Sequence, residues 1–93
     1  MSYKLVFRKE AMKDLEDLRK GNKQDYVKCF DLILAVLFDP RNGIGKPERL
    51  KYTIEEIELF SRRINEKDRL VYLIDDENEL IEILICKGHY DDK

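Results

Sequence analysis

The single histidine of this 93-residue chain, His89, stands between Gly88 and Tyr90. Histidine is the side chain whose unperturbed titration falls near neutrality, so His89 is the natural candidate for moving a proton, although a solvent-facing histidine needs no function at all. Glu48 lies among Lys46, Arg49 and Lys51, a carboxylate between cations that either accepts a proton or forms an ordinary surface ion pair. Arg62, Arg63 and Arg69 follow on predicted strands. Their guanidinium groups either make bidentate contacts to phosphate or belong to a solvated charged surface. Other chemistries fit less well. One histidine and two widely separated cysteines supply no Cys/His cluster for zinc, and the acids form no recognisable magnesium set. Ser61 lacks a nucleophile-elbow sequence, and Gly43-Ile-Gly45-Lys46 lacks the strand-to-helix setting of a phosphate-binding loop. What these residue types suit is proton transfer on an anion, with no metal and no cofactor.

Such groups need a scaffold, and the composition describes one. A chain of 93 residues, 43% hydrophobic and 41% charged, is expected to form one domain with a small core and a heavily charged surface. The longest apolar run, residues 32–38, is far short of the roughly 20 residues that span a bilayer, so no membrane segment is expected. The first residues meet Arg8-Lys-Glu10 before an apolar leader could form, which predicts a cytoplasmic protein. Cys29 and Cys86 sit in apolar stretches and read as buried, reduced residues. The net charge of −2 is unevenly spread: residues 41–69 hold eight Lys/Arg against six Asp/Glu, whereas residues 70–93 hold seven acids against two bases. An anion would have to be held by a local basic site rather than by bulk attraction.

The periodicity places these residues on elements. Tyr3, Leu5 and Phe7 alternate as on a half-buried strand. Ala11, Met12, Leu15 and Leu18 recur at helical spacing, with Gly21 where a left-handed C-terminal residue is expected. Asn22 predicts the cap of a second helix carrying an apolar stripe of Tyr26, Val27, Phe30, Ile33, Leu34, Leu37 and Phe38, stopped by Pro40. So short a link predicts an antiparallel helical hairpin. Residues 41–47 read as an exposed basic loop, and residues 57–64, 69–74 and 80–87 as three strands of an antiparallel meander. The expected fold is α+β, in the order β-α-α-β-β-β, with the hairpin covering one sheet face and the other left for function.

Lys46-Pro-Glu-Arg-Leu-Lys51, Phe60-Ser-Arg-Arg-Ile64, Asp68-Arg-Leu-Val-Tyr72 and the pair His89-Tyr90, taken together, resemble the YoeB-type (Txe) toxins of the RelE superfamily. The resemblance implies the toxin of a bacterial type II toxin-antitoxin pair, a ribosome-dependent endoribonuclease that cleaves messenger RNA without a metal. It implies Glu48 as general base, His89 as general acid and Arg69 as transition-state stabiliser, with Lys51, Arg63 and Tyr90 binding substrate. The implied partners are a YefM-type antitoxin, the ribosome with its message, operator DNA through the antitoxin complex, and a second copy of the chain. The alternative is a module of the same fold that only docks antitoxin and operator, its nuclease activity weak or absent. Arg62 and Arg63 have opposite strand parity, so only one of them is expected to line the site.

Overall fold

The structure, a computed structural model, describes residues 3–88; His89 and Tyr90 therefore lie outside the described residues. Seven elements follow in order: β1 (Lys4–Phe7), α1 (Lys9–Gly21), α2 (Lys23–Phe38), β2 (Glu48–Ile54), β3 (Ile57–Arg63), β4 (Arg69–Asp75) and β5 (Leu80–Ile85). They form the expected α+β arrangement, with one strand more than the sequence reading assigned. The sheet order is β1-β5-β4-β3-β2. Strands β2 to β5 form the antiparallel meander, and β1 adds to its far edge parallel to β5, which makes the sheet mixed.

Asn22 alone joins the two helices. Its N–H donates to the Leu18 carbonyl at 2.8 Å, closing α1, while its side-chain oxygen accepts the Asp25 N–H at 3.1 Å, opening α2. Gly21 stays inside α1 and is absent from the glycines with positive φ, so the left-handed end expected there is not formed. The hairpin buries Ala11, Leu15 and Leu18 of α1 and Cys29, Leu32, Ile33 and Val36 of α2 against Phe60, Ile64, Leu70, Tyr72, Ile74, Ile81 and Ile83 of the sheet. Both cysteines are buried and free. Each fully buried Leu or Ile contributes about 1.5–3 kcal/mol.

The buried face of α2 differs from the predicted stripe. Ile33 faces inward, but Val27, Phe30, Leu34 and Phe38 are exposed, Phe38 at 92%. The second half of α2 is apolar nearly all round, so sequence alone leaves its rotation open, and packing against the sheet selects the Cys29, Leu32 and Val36 side. A row of apolar side chains is left on the outside. On the sheet face away from the helices, Leu59, Val71, Leu73 and Leu84 form a second, smaller buried cluster with Leu50, Ile54, Ile57 and Ile85.

Strands β2 and β3 are joined through Glu55 and Glu56, between the paired residues Ile54 and Ile57. Both glutamates have positive φ, 51° and 68°. That is the signature of a two-residue type I′ hairpin turn, which favours Asn-Gly because most side chains resist the left-handed region. The double substitution Glu55→Asn, Glu56→Gly is therefore expected to stabilise the fold by about 1 kcal/mol and to raise the melting temperature by about 4–8 °C. Thermal unfolding followed by circular dichroism checks this; an unchanged or lower midpoint would show that the turn carries no relievable strain.

Candidate active site

Register determines which sequence-predicted residues meet. Glu48 opens β2 opposite Ser61 of β3, and Arg63 at the end of β3 lies opposite Arg69 at the start of β4. Strand alternation puts Ser61, Arg63 and Arg69 on the face away from the helices. There Arg69 Nη1 lies 3.6 Å from Glu48 Oε1 and 3.5 Å from the buried Ser61 hydroxyl. The Arg69 side chain is 25% exposed and that of Glu48 65%, so the carboxylate faces solvent over a guanidinium that the sheet holds. An ion pair this open contributes at most about 1 kcal/mol to stability. Lys51 is exposed within the register irregularity between Arg49 and Thr53, and Arg63 is exposed as well. Beside Arg63, an open cleft of about 350 Å³ is lined by Lys28, Lys46 and Glu66. The structure thus brings Glu48, Arg63 and Arg69 together and leaves Lys51 solvent-facing on the neighbouring strand.

Three other arginines of the basic segment have different roles. Arg41 pairs with Glu58 and with Asp76, the latter at 2.8 Å, and Arg49 reaches Glu58 at 3.4 Å. Arg62 points into the helix side of the sheet and is fully buried. Its Nε donates to the Tyr72 hydroxyl at 3.0 Å, Nη1 to the Ile44 carbonyl at 3.1 Å, and Nη2 to the carbonyls of Asp39 and Asn42 at 2.6 and 3.0 Å. Tyr72 in turn donates to the Pro40 carbonyl at 2.7 Å, and burial raises its pKa against the lowering effect of Arg62. The loop before β2 is therefore exposed at its tip but tied beneath to one guanidinium. Gly45, with φ +84°, sits so close over the sheet that a Cβ would come within 2.6 Å of Leu32 and 3.1 Å of the Arg62 Cβ.

The β3–β4 connection is the polar turn Asn65-Glu-Lys-Asp68 that the sequence predicts, and its side chains have a role that the sequence did not assign. Asn65 Oδ1 accepts the N–H groups of Lys67 and Asp68, each at 2.7 Å, and its Nδ2 donates to Asp25 at 2.7 Å and to Asp68 at 3.0 Å. Asp68 Oδ1 accepts the Gly88 N–H at 2.7 Å. Burial pushes the Asp68 carboxyl up, but the hydrogen bonds from Gly88 and Asn65 outweigh it and hold the group below its ordinary value. The Asn-x-x-Asp spacing marks a turn in the sequence; the reach of Asp68 to residue 88 is visible only in the fold.

A mixed sheet backed by one helical hairpin is a frame that known proteins share with this chain. The sequence profile of the YoeB-like toxins of bacterial type II toxin-antitoxin systems matches residues 7–90. A YoeB toxin from Synechocystis is 38% identical over 87 residues, covering 94% of this chain and 96% of the relative. Two solved structures from Staphylococcus aureus, each 34% identical and covering 97% of this chain and all of theirs, superpose well: a YoeB dimer with a TM-score of 0.81, and a heterotetrameric YoeB–YefM complex with a TM-score of 0.77. Fold and likeness together define the toxin half of a toxin-antitoxin pair. Within that class, the chain belongs to the YoeB-like toxin family.

Proposed function

We propose that this toxin is a ribosome-dependent endoribonuclease that stops translation by cleaving messenger RNA without a metal. The observation that carries the reading is the apposition of Glu48 and Arg69, 3.6 Å apart, with Arg63 as the register neighbour of Arg69. Cleavage of RNA by its own 2′-hydroxyl needs a base for that proton, an acid for the leaving 5′-oxygen and cations around the phosphorane-like charge. Glu48 takes the proton of the 2′-hydroxyl, whose oxygen attacks the adjacent phosphorus. Arg69 stabilises the added negative charge, the P–O5′ bond breaks, and His89 gives its proton to the departing oxygen. The products are a 2′,3′-cyclic phosphate and a 5′-hydroxyl. Lys51 and Arg63 hold flanking phosphates, and Tyr90 stacks on a base. The ribosome supplies alignment of the attacking hydroxyl, which a modest base needs.

The partners proposed are a YefM-type antitoxin, the programmed ribosome, operator DNA bound through the antitoxin complex, and a second copy of the chain. The S. aureus relatives found as a dimer and as a complex with YefM support the first and last of these. So does the exposed apolar row Val27, Phe30, Leu34 and Phe38 on α2, a surface of the kind that protein partners cover. Such a system works in the bacterial cytoplasm.

Primer extension on a translated message tests the reading. Wild type is expected to cleave only when ribosomes are present, and His89→Gln to abolish cleavage, a loss of at least about 10²-fold for the general acid. Cleavage of naked RNA would make the protein a general ribonuclease. No cleavage on ribosomes would leave an antitoxin- and operator-docking module.

A further inference from the structure

At the end of β5, two carboxylates take over from the sheet. The β4–β5 ladder closes at Val71↔Ile85 after a one-residue shift, and β1, the other neighbour of β5, stops at Phe7↔Ile83. The amides beyond need other acceptors. Asp14 of α1 accepts the Cys86 N–H at 3.0 Å, and Asp68 accepts the Gly88 N–H at 2.7 Å. The Gly88 carbonyl accepts the Arg69 N–H at 2.9 Å. Both polar groups of Gly88 are thus held by the adjacent pair Asp68-Arg69, and Arg69 is the cation of the candidate site. The clamp is braced in turn, because Asn65 bridges Asp68 to Asp25 of α2. Gly88 has φ +77° with open space where a Cβ would stand, so the demand at this position is conformational rather than steric.

We propose that Asp68 is a positioning residue for the cleavage reaction: by clamping Gly88 against the backbone of Arg69, it fixes, relative to that cation, the peptide to which His89 is attached. The inference rests on the ribonuclease reading above. Its physical content is that an acid and a charge stabiliser must share one frame, since a misplacement of about 1 Å can cost about 10² in rate. Asp68 is not itself assigned to the chemistry, yet it adjoins Arg69 in the chain and one hydrogen bond links it to Gly88, the residue before the acid.

The test compares the full chain with its Asp68→Ala and Asp68→Asn variants, measuring single-turnover cleavage on programmed ribosomes, half-saturating toxin concentration, amide exchange at Gly88 and thermal midpoint. Asn keeps an oxygen for the Gly88 N–H and gives up only the bond from Asn65; Ala loses both. Asp68→Ala is expected to cleave about 10- to 100-fold more slowly at saturation, with the half-saturating concentration within about threefold of wild type and faster exchange at Gly88, and Asp68→Asn to recover most of the rate. Equal losses in both variants that track the thermal midpoint would make Asp68 merely structural. Faster exchange at Gly88 with an unchanged rate would also overturn the proposal. If wild type itself fails to cleave, the ribonuclease reading falls and the positioning role with it, whereas a cleaving wild type beside an unimpaired Asp68→Ala variant refutes the positioning role alone.

Discussion

Arg62→Ala is expected to destabilise the protein by about 3 kcal/mol or more, mainly because the removed guanidinium satisfies four buried or half-buried acceptors at once. The substitution also opens a cavity where a large side chain was fully buried on the helix side of the sheet, beneath the loop before β2. It orphans the carbonyls of Asp39, Asn42 and Ile44 and strips the Tyr72 hydroxyl of its donor. For a domain of this size the loss corresponds to a drop of about 12–24 °C in melting temperature, a large share of a typical total stability. Arg62→Lys is expected to recover less than half, because an ammonium lacks the planar fork that reaches four acceptors in different directions. Denaturant unfolding of the three proteins decides it. An alanine variant within about 0.5 kcal/mol of wild type would mean that the network stabilises nothing, as for an ordinary surface substitution.

That prediction comes from structure, and the contrast shows what the sequence could carry. Strand parity was legible: it separates Arg62 from Arg63 and sends them to opposite faces, as observed. The consequence was not, because the acceptors of Arg62 lie 10 to 23 residues away and converge only when the loop folds over the sheet. The helices and strands β1, β3, β4 and β5 announced themselves through strong periodicity and flanking Gly, Pro, Asn and Asp. Strand β2 was missed although Leu50, Tyr52 and Ile54 alternate. It is an edge strand with an exposed tyrosine, a broken register and a turn made of two glutamates, so it depends on pairing with β3 rather than on its own pattern. Its discovery matters to the site, for Glu48 is its first residue. The parallel pairing of β1 with β5 joins residues more than 70 apart, which no local signal encodes. The rotation of α2 was open for the opposite reason, since apolar residues on every side gave too much signal. The roles proposed for Glu48, Arg69 and His89 rest on resemblance, and the fold adds the apposition of the first two.

Arg69→Ala is expected to lower the single-turnover cleavage rate on saturated ribosomes by about 10²–10³-fold, the usual effect of removing a preorganised group that acts on charge appearing only in the transition state. Ground-state association should change far less. One lost phosphate contact removes about one unit from the salt slope of binding, so the alanine variant should reach saturation at only moderately higher toxin concentration. Folding should survive, because the groups Arg69 leaves behind are the open Glu48 carboxylate and a Ser61 hydroxyl at 3.5 Å, and its backbone bond to Gly88 remains. Arg69→Lys is expected to restore part of the rate, since the charge returns without the bidentate fork. The decisive comparison sets Arg69→Ala beside Arg62→Ala at a temperature where both are folded. Arg62 lies on the helix side and Arg69 on the other, so the first should lose stability with a rate close to wild type and the second should lose rate with stability close to wild type. The register Arg63↔Arg69 and Arg62↔Leu70 requires that separation. Equal losses of rate in the two folded variants would place both arginines at the reacting phosphate, which paired strands β3 and β4 with alternating faces cannot do in this register, and the assignment of the reactive face would have to be abandoned.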